Sequence, residues 1–229
     1  MRSGARSRSA MLRRIALILA TLALGLLLGR ASAPSPSSTP SGRAPATDRS
    51  GARSESGVRL GFPETPSGAA AAIAAYQQAF AQPTILRPGV LQARIDAVAT
   101  PDYAARMLAA NGPGAERLAG GPIGTGLAHG VRTIYRAVPI GYKVLSFAHD
   151  RAEVETWGLT IVGNLGSVEP SAWFGTSRAD LSWEGGRWRI ARVESGFGPT
   201  PALGTKPDAA AGYDMLELAK QLTGYALAP

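Results

Sequence analysis

Hydrophobic positions follow four different rules along this chain. From Ile15 to Gly29 they form an unbroken apolar run, fifteen residues without a charge, bounded by Arg13-Arg14 and Arg30. From Ala31 to Arg59 they nearly vanish into Pro, Ser, Gly, Ala and Arg. From Thr65 to about Asn111 they recur at spacings of three and four, the period of one helix face. From Val131 to Glu194 they alternate every second residue, the period of a half-buried strand.

The helical part opens at Thr65, a side chain suited to cap a helix, with Pro66 in the first helical position. Ile73, Tyr76 and Phe80 share one face, alanines fill most other positions, and Pro83 ends the helix. A second helix is expected from Pro88, with Leu91, Ile95 and Val98 in one stripe. A third starts at Thr100-Pro101-Asp102, carries Tyr103, Met107 and Leu108, and is expected to stop at Asn111-Gly112-Pro113-Gly114. Gly120 to Gly130 has the glycine content of a phosphate loop but lacks the Gly-Lys-Ser/Thr ending and a preceding strand, so it reads as a flexible loop.

Five strands are expected: Val131 to Val138, Ile140 to Ala148, Arg151 to Val162, Ala172 to Trp183 and Arg187 to Glu194. Ala148-His149-Asp150-Arg151 reads as a turn, and Glu184-Gly185-Gly186 joins the last pair as a hairpin. In that hairpin Ala179, Leu181 and Trp183 face Trp188 and Ile190, but Val193 has the opposite parity. A bulge near Ala191-Arg192 restores the pattern. After Gly198-Pro199-Thr200-Pro201, a terminal helix capped by Asp208 carries Met215, Leu216, Leu218, Ala219 and Leu222. Helices followed by antiparallel strands give an α+β class, with helices packed on a curved antiparallel sheet.

The apolar run sets the compartment. Arg2, Arg6, Arg8, Arg13 and Arg14 precede it, so residues 1–14 are expected to be a cytoplasmic basic tail, 15–30 a single-pass transmembrane anchor, 31–59 a disordered linker and 60–229 an extracytoplasmic domain. Fifteen helical residues span about 22 Å, short of the ~30 Å hydrocarbon core, and snorkelling Arg14 and Arg30 make up part of the difference. Ala31-Ser32-Ala33 has the form of a signal-peptide cleavage site, the route to a secreted product. Pro34 directly after it opposes cleavage, and the expectation is a retained signal-anchor. The linker reaches about 30 Å as a random coil.

Charge changes little once it is divided along the chain. The net +8 rests on ten arginines against Asp48 and Glu55 before Leu60; the remainder carries fourteen residues of each sign. A neutral folded part lacks the footprint of a phosphate-binding surface, so no direct nucleic-acid binding by that domain is expected. With no cysteine there are no disulfides, thiolate metal sites or cysteine nucleophiles.

Candidate chemistry is sparse. Asp96 lies on the polar side of its helix, Asp102 in a first turn, and Glu153 and Glu155 alternate outward against Ala152 and Val154. His129 and His149 fall in a loop and a turn, with no metal-ligand spacing. No catalytic, cofactor-binding or metal-ligating residue is therefore assigned, no cofactor is expected, and the chain is not expected to be an enzyme. Trp157, Trp173 and Phe174 flank Gly158 and Gly163-Asn164-Leu165-Gly166; they either form an exposed aromatic patch or line the sheet's concave core.

The order of elements and the closing Leu181-Ser182-Trp183-Glu184-Gly185-Gly186-Arg187-Trp188-Arg189-Ile190 hairpin resemble the cone-shaped fold of nuclear transport factor two and ketosteroid isomerase. A further resemblance rests on Gly61-Phe62-Pro63-Glu64-Thr65-Pro66-Ser67-Gly68-Ala69, Pro139-Ile140-Gly141-Tyr142-Lys143-Val144, Gly198-Pro199-Thr200-Pro201-Ala202-Leu203 and Tyr225-Ala226-Leu227-Ala228-Pro229. On these segments the chain is similar to actinobacterial membrane-anchored proteins whose genes are associated with conjugation. Those in turn look like distant relatives of type IV secretion assembly subunits and TcpC-type proteins. The resemblance implies a structural or accessory subunit of a conjugation-like membrane complex, acting through self-association and contacts with other membrane subunits. It transfers no functional residue. The alternative is an extracytoplasmic binding domain for a small apolar ligand or envelope component.

Overall fold

A computed structural model describes residues 56–201 and 222–228. The expected anchor at 15–30, nearly all of the linker and the helix expected from Asp208 lie outside the described residues. Among the described residues no helix is long and apolar enough to cross a membrane.

Helix α1 spans Pro66–Phe80 and starts as its sequence dictates: the Gly68 amide donates to Thr65 Oγ1 at 3.0 Å, satisfying one of the free amides of the first turn. Its alanines let it lie close on the sheet, burying Ala69, Ala72, Ile73 and Tyr76. A 3-10 turn, Pro83–Leu86, leads to helix α2, Val90–Val98. Leu91, Ile95 and Val98 face inward as their spacing requires, and so does Arg94, only 4% exposed. Its guanidinium donates to the Ala79 carbonyl, to Ser56 O at 3.2 Å, Gln82 Oε1 at 3.1 Å and Thr84 Oγ1 at 2.9 Å. It thus ties the last turn of α1 to α2 and the 3-10 turn.

Helix α3 runs Pro101–Gly120 and passes through Pro113 instead of stopping at Asn111-Gly112-Pro113-Gly114. A proline inside a helix removes one backbone hydrogen bond and strains the preceding turn. Here Pro113 faces solvent, while Ala115 and Leu118 beyond it are buried, and that burial holds the extra turns. Nor is the glycine-rich stretch a flexible loop. Helix α4, Pro122–Ala128, occupies it and buries Ile123. Its glycines serve close packing: a Cβ on Gly124 would sit 2.0 Å from the Ala119 carbonyl oxygen, and one on Gly126 would sit 2.7 Å from Asn164 Nδ2. Asn164 pins this corner by donating to Pro122 O at 3.1 Å while its Oδ1 accepts from the Val168 amide at 2.8 Å and from Ser167.

The sheet is antiparallel, curved and five-stranded, in the order β4-β3-β2-β1-β5. The two segments expected around Pro139 are one strand, β1, Thr133–Ala148. Its pairing with β2 (Arg151–Asn164) slips between Pro139 and Gly141, and that irregularity accommodates the proline. β3 is Val168–Glu184 and β4 is Arg187–Phe197. Gly185 and Gly186, both at positive φ, make the turn between them. Asp180 pairs with Arg192 but Leu181 with Ile190, so Ala191 is the extra residue of a bulge. Before the bulge Trp188 faces inward with no exposed surface, edge-on to Trp183 at 5.2 Å and to Phe147 at 6.0 Å. β5, Ala226–Leu227, adds a short edge beside Gly141 and Tyr142. Nothing in its composition marks it as a strand.

The helices cover one face of the sheet. Thr100 N donates to Ile190 O at 2.9 Å and Arg189 Nη1 to Ala99 O at 2.7 Å, stitching the α2–α3 junction to β4.

Candidate functional site: an uncharged cavity between helices and sheet

Register fixes which side chains look toward the helices. On the concave face β1 places Tyr135 and Ala137, β2 places Val162, Thr160, Gly158, Thr156 and Val154, and β3 places Trp173, Gly175, Ser177, Ala179 and Leu181. β4 adds Ser195, Val193, Ile190 and Trp188. Large side chains gather at both ends, and the middle carries Ala137, Gly158, Gly175, Ser177 and Ser195. A helix layer spanning such a face cannot fill the middle. The result is a cavity of about 200 Å³.

Ile73, Phe80, Leu91, Tyr103 and Met107 form the helical wall, and Ala137, Thr156, Gly158, Thr160, Gly175 and Ser177 are central to the floor. Two glycines of that floor are closely packed. Gly158 and Gly175 pair across β2 and β3; a Cβ on Gly158 would approach Val138 O to 2.6 Å, and one on Gly175 would approach Gly196 O to 2.9 Å. Among the described residues that line it there is no Asp, Glu, His, Lys or Arg.

Most polar groups in the lining satisfy one another. Gln77 Nε2 donates to Thr156 Oγ1 at 2.6 Å, which donates to Ser177 O at 3.3 Å; the Ser177 and Ser195 hydroxyls are 2.8 Å apart. Tyr76 spends its hydroxyl on the Trp188 carbonyl. Two hydroxyls in the lining, those of Tyr135 and Thr160, have no hydrogen-bond partner among the described residues. They are diagonal neighbours on adjacent strands, since Tyr135 pairs with Val162 and Thr160 with Ala137. Trp173 stands directly across from Thr160. Burial pushes the Tyr135 phenol up to about 12, so it is a neutral donor across the physiological range.

The residues singled out from the sequence lie elsewhere. Asp96 accepts from Gln92 at the surface, Asp102 and His129 are exposed, and the exposed His149 meets Oε1 of the half-buried Glu64 at 3.0 Å. Glu153 and Glu155 are on the convex face, where they accept from Arg178 and, at 2.6 Å, from the Tyr225 hydroxyl. Among the described residues no cluster of His, Asp or Glu could hold a metal ion. The aromatic trio divides between the two faces. Trp157 and Phe174 stack at 5.2 Å on the convex side, where Trp157 Nε1 donates to Pro199 O at 2.8 Å; Trp173 lines the cavity. Alternation along β2 and β3 contains this division, but it emerges only when the strands are aligned in register.

No protein-family model and no curated protein matches the chain. Among solved structures it is similar to the intermembrane-space region of the chloroplast protein ARC6, with 12% identity over 59% of this chain and 100% of that one; the TM-score of 0.34 is too low to carry an argument.

Proposed function

We propose that the folded domain binds a small uncharged apolar ligand in the cavity between helices and sheet, and performs no reaction on it. The supporting observation is a cavity of about 200 Å³ with no charged side chain among the described residues that line it. Acid–base catalysis needs a titratable group placed against the substrate, and the carboxylates and histidines of the described residues sit outside this space. The concave sheet under helices suits a cone-shaped arrangement of the nuclear-transport-factor-two kind. With the basic, apolar N-terminal segment, the reading is of a binding domain held outside the cell membrane by an N-terminal anchor.

Saturable binding of tetralin to the full chain in mild detergent, followed by tryptophan fluorescence, tests this. Ala137→Leu, which projects into the cavity, should weaken binding at least tenfold while leaving the melting temperature unchanged or higher. Absence of saturable binding, or Ala137→Leu binding as well as the natural chain, overturns it.

A second reading, a structural subunit of a conjugation-like membrane complex, draws support from apolar side chains left at the surface: Ile134 and Val138 on the convex face of β1, and Leu227 beside it. Crosslinking in native membranes distinguishes the two. Recovery of secretion or transfer components through the β1 face favours the subunit, and their absence removes it.

A further inference from the structure

Resting on the cavity-binding reading, we infer that the ligand is a neutral compound of one or two rings carrying a carbonyl-type oxygen, which the Tyr135 and Thr160 hydroxyls hold by hydrogen bonds while the ring lies against Trp173.

Size comes first. The cavity, about 200 Å³, is somewhat larger than the ~150 Å³ apolar cavity known to take benzene, so a bicyclic frame is near its limit. Charge comes second. The described lining holds no cation or anion to offset the desolvation of an ionised ligand, which costs several kcal/mol or more, so the occupant is uncharged. Polarity comes third. Buried hydroxyls are normally paired, and in this lining Gln77, Thr156, Ser177, Ser195 and Tyr76 already are. Tyr135 and Thr160, both half-buried, differ in lining the cavity with unpaired hydroxyls, and they stand as neighbours on one face.

A phenol that stays protonated is a donor. The group that complements it best is therefore an acceptor, a ketone, aldehyde, ester or ether oxygen, and a second hydroxyl beside it can reach the same oxygen. Trp173, opposite Thr160 on β3, supplies a flat apolar surface next to this pair. The cavity thus has a polar corner at the β1–β2 end and an apolar body toward the helices.

The test uses two probes of the same frame, tetralin and alpha-tetralone, with naphthoate as the charged counterpart, on the full chain and on Tyr135→Phe and Thr160→Val. Both variants keep the shape of the residue they replace. Tyr135→Phe is expected to weaken alpha-tetralone about fivefold, the weight of one neutral hydrogen bond, and Thr160→Val severalfold, with tetralin unchanged or tighter in both. Naphthoate should bind worst. Tetralin binding that persists while alpha-tetralone responds no differently from it in either variant sinks the anchoring pair and leaves the cavity reading intact. Preference for naphthoate sinks the neutral-ligand assignment. Failure of both neutral probes to bind the natural chain removes the cavity reading and this inference with it.

Discussion

The Tyr76 hydroxyl donates to the main-chain carbonyl of Trp188 at 2.7 Å, across 112 positions of sequence. This bond joins the middle of α1 to the start of β4 in the most deeply buried part of the domain, and the Trp188 indole donates on to Pro63 O at 2.8 Å. Removing the hydroxyl strands a buried carbonyl. Tyr76→Phe should cost about 1–3 kcal/mol, read as a lower urea midpoint at an unchanged slope. A midpoint equal to that of the natural chain would mean that the carbonyl finds another donor.

Arg94 is a buried cation whose hydrogen-bond partners are carbonyl, amide and hydroxyl oxygens, with no carboxylate among them. Its planar fork reaches four acceptors on three segments, which a lysine ammonium cannot do. Arg94→Met should lower stability by about 3 kcal/mol, and Arg94→Lys should recover less than half of that. Equal stability of Arg94→Lys and the natural chain would reduce the guanidinium to a point charge.

Two glycines give opposite expectations. Gly112 sits inside α3 with nothing within 4 Å of a built Cβ, so Gly112→Ala should stabilise the domain by about 0.5–1 kcal/mol through helix propensity. Gly124→Ala drives a methyl into the Ala119 carbonyl and should destabilise by about 1–3 kcal/mol or more. Were the helix to end at Asn111, the first change would have no effect, so thermal melts of the two variants check α3 and α4 together.

Tyr76, Tyr135 and Tyr225 all hold their protons beyond the ordinary phenol range. Burial is the main cause in each, and a hydrogen bond to Glu155 adds to it for Tyr225. A pKa raised in the folded state adds stability that is fully present below the unfolded value of about 10 and is lost as pH climbs toward the folded one. Stability should therefore fall above pH ~10. Phenolate absorbance of the native protein near pH ~11 should remain well below that of the protein unfolded in urea, and equal absorbance would contradict the burial of these phenols.

Local rules carried much of the fold into the sequence. Thr65 and Pro66 mark the start of α1, and the parity break at Val193 marks the bulge at Ala191, because capping and strand alternation depend only on near neighbours. Pro113 and Gly120 to Gly130 misled for the opposite reason. Their helical state is imposed by contacts with residues distant in sequence: Leu118 and Ile123 pack against Val162 and Val168, and Asn164 donates to Pro122 O. Arg94 points inward against its type because its acceptors come from three separate segments. The cavity was equally hidden. Ala137, Gly158, Gly175 and Ser195 are unremarkable singly, and only the strand register sets them side by side. Tyr135 looks like an ordinary strand aromatic until its neighbours' hydrogen bonds are traced.

The paired glycines under the cavity limit how this domain can diversify. Since neither Gly158 nor Gly175 has space for a methyl group, a side chain at either position displaces the backbone of β1 or β4, and narrowing from below falls to floor positions such as Ala137. The roof offers more latitude, at Phe80, Leu91, Met107 and Ala110, where substitutions change the shape of the space and leave the sheet as it is.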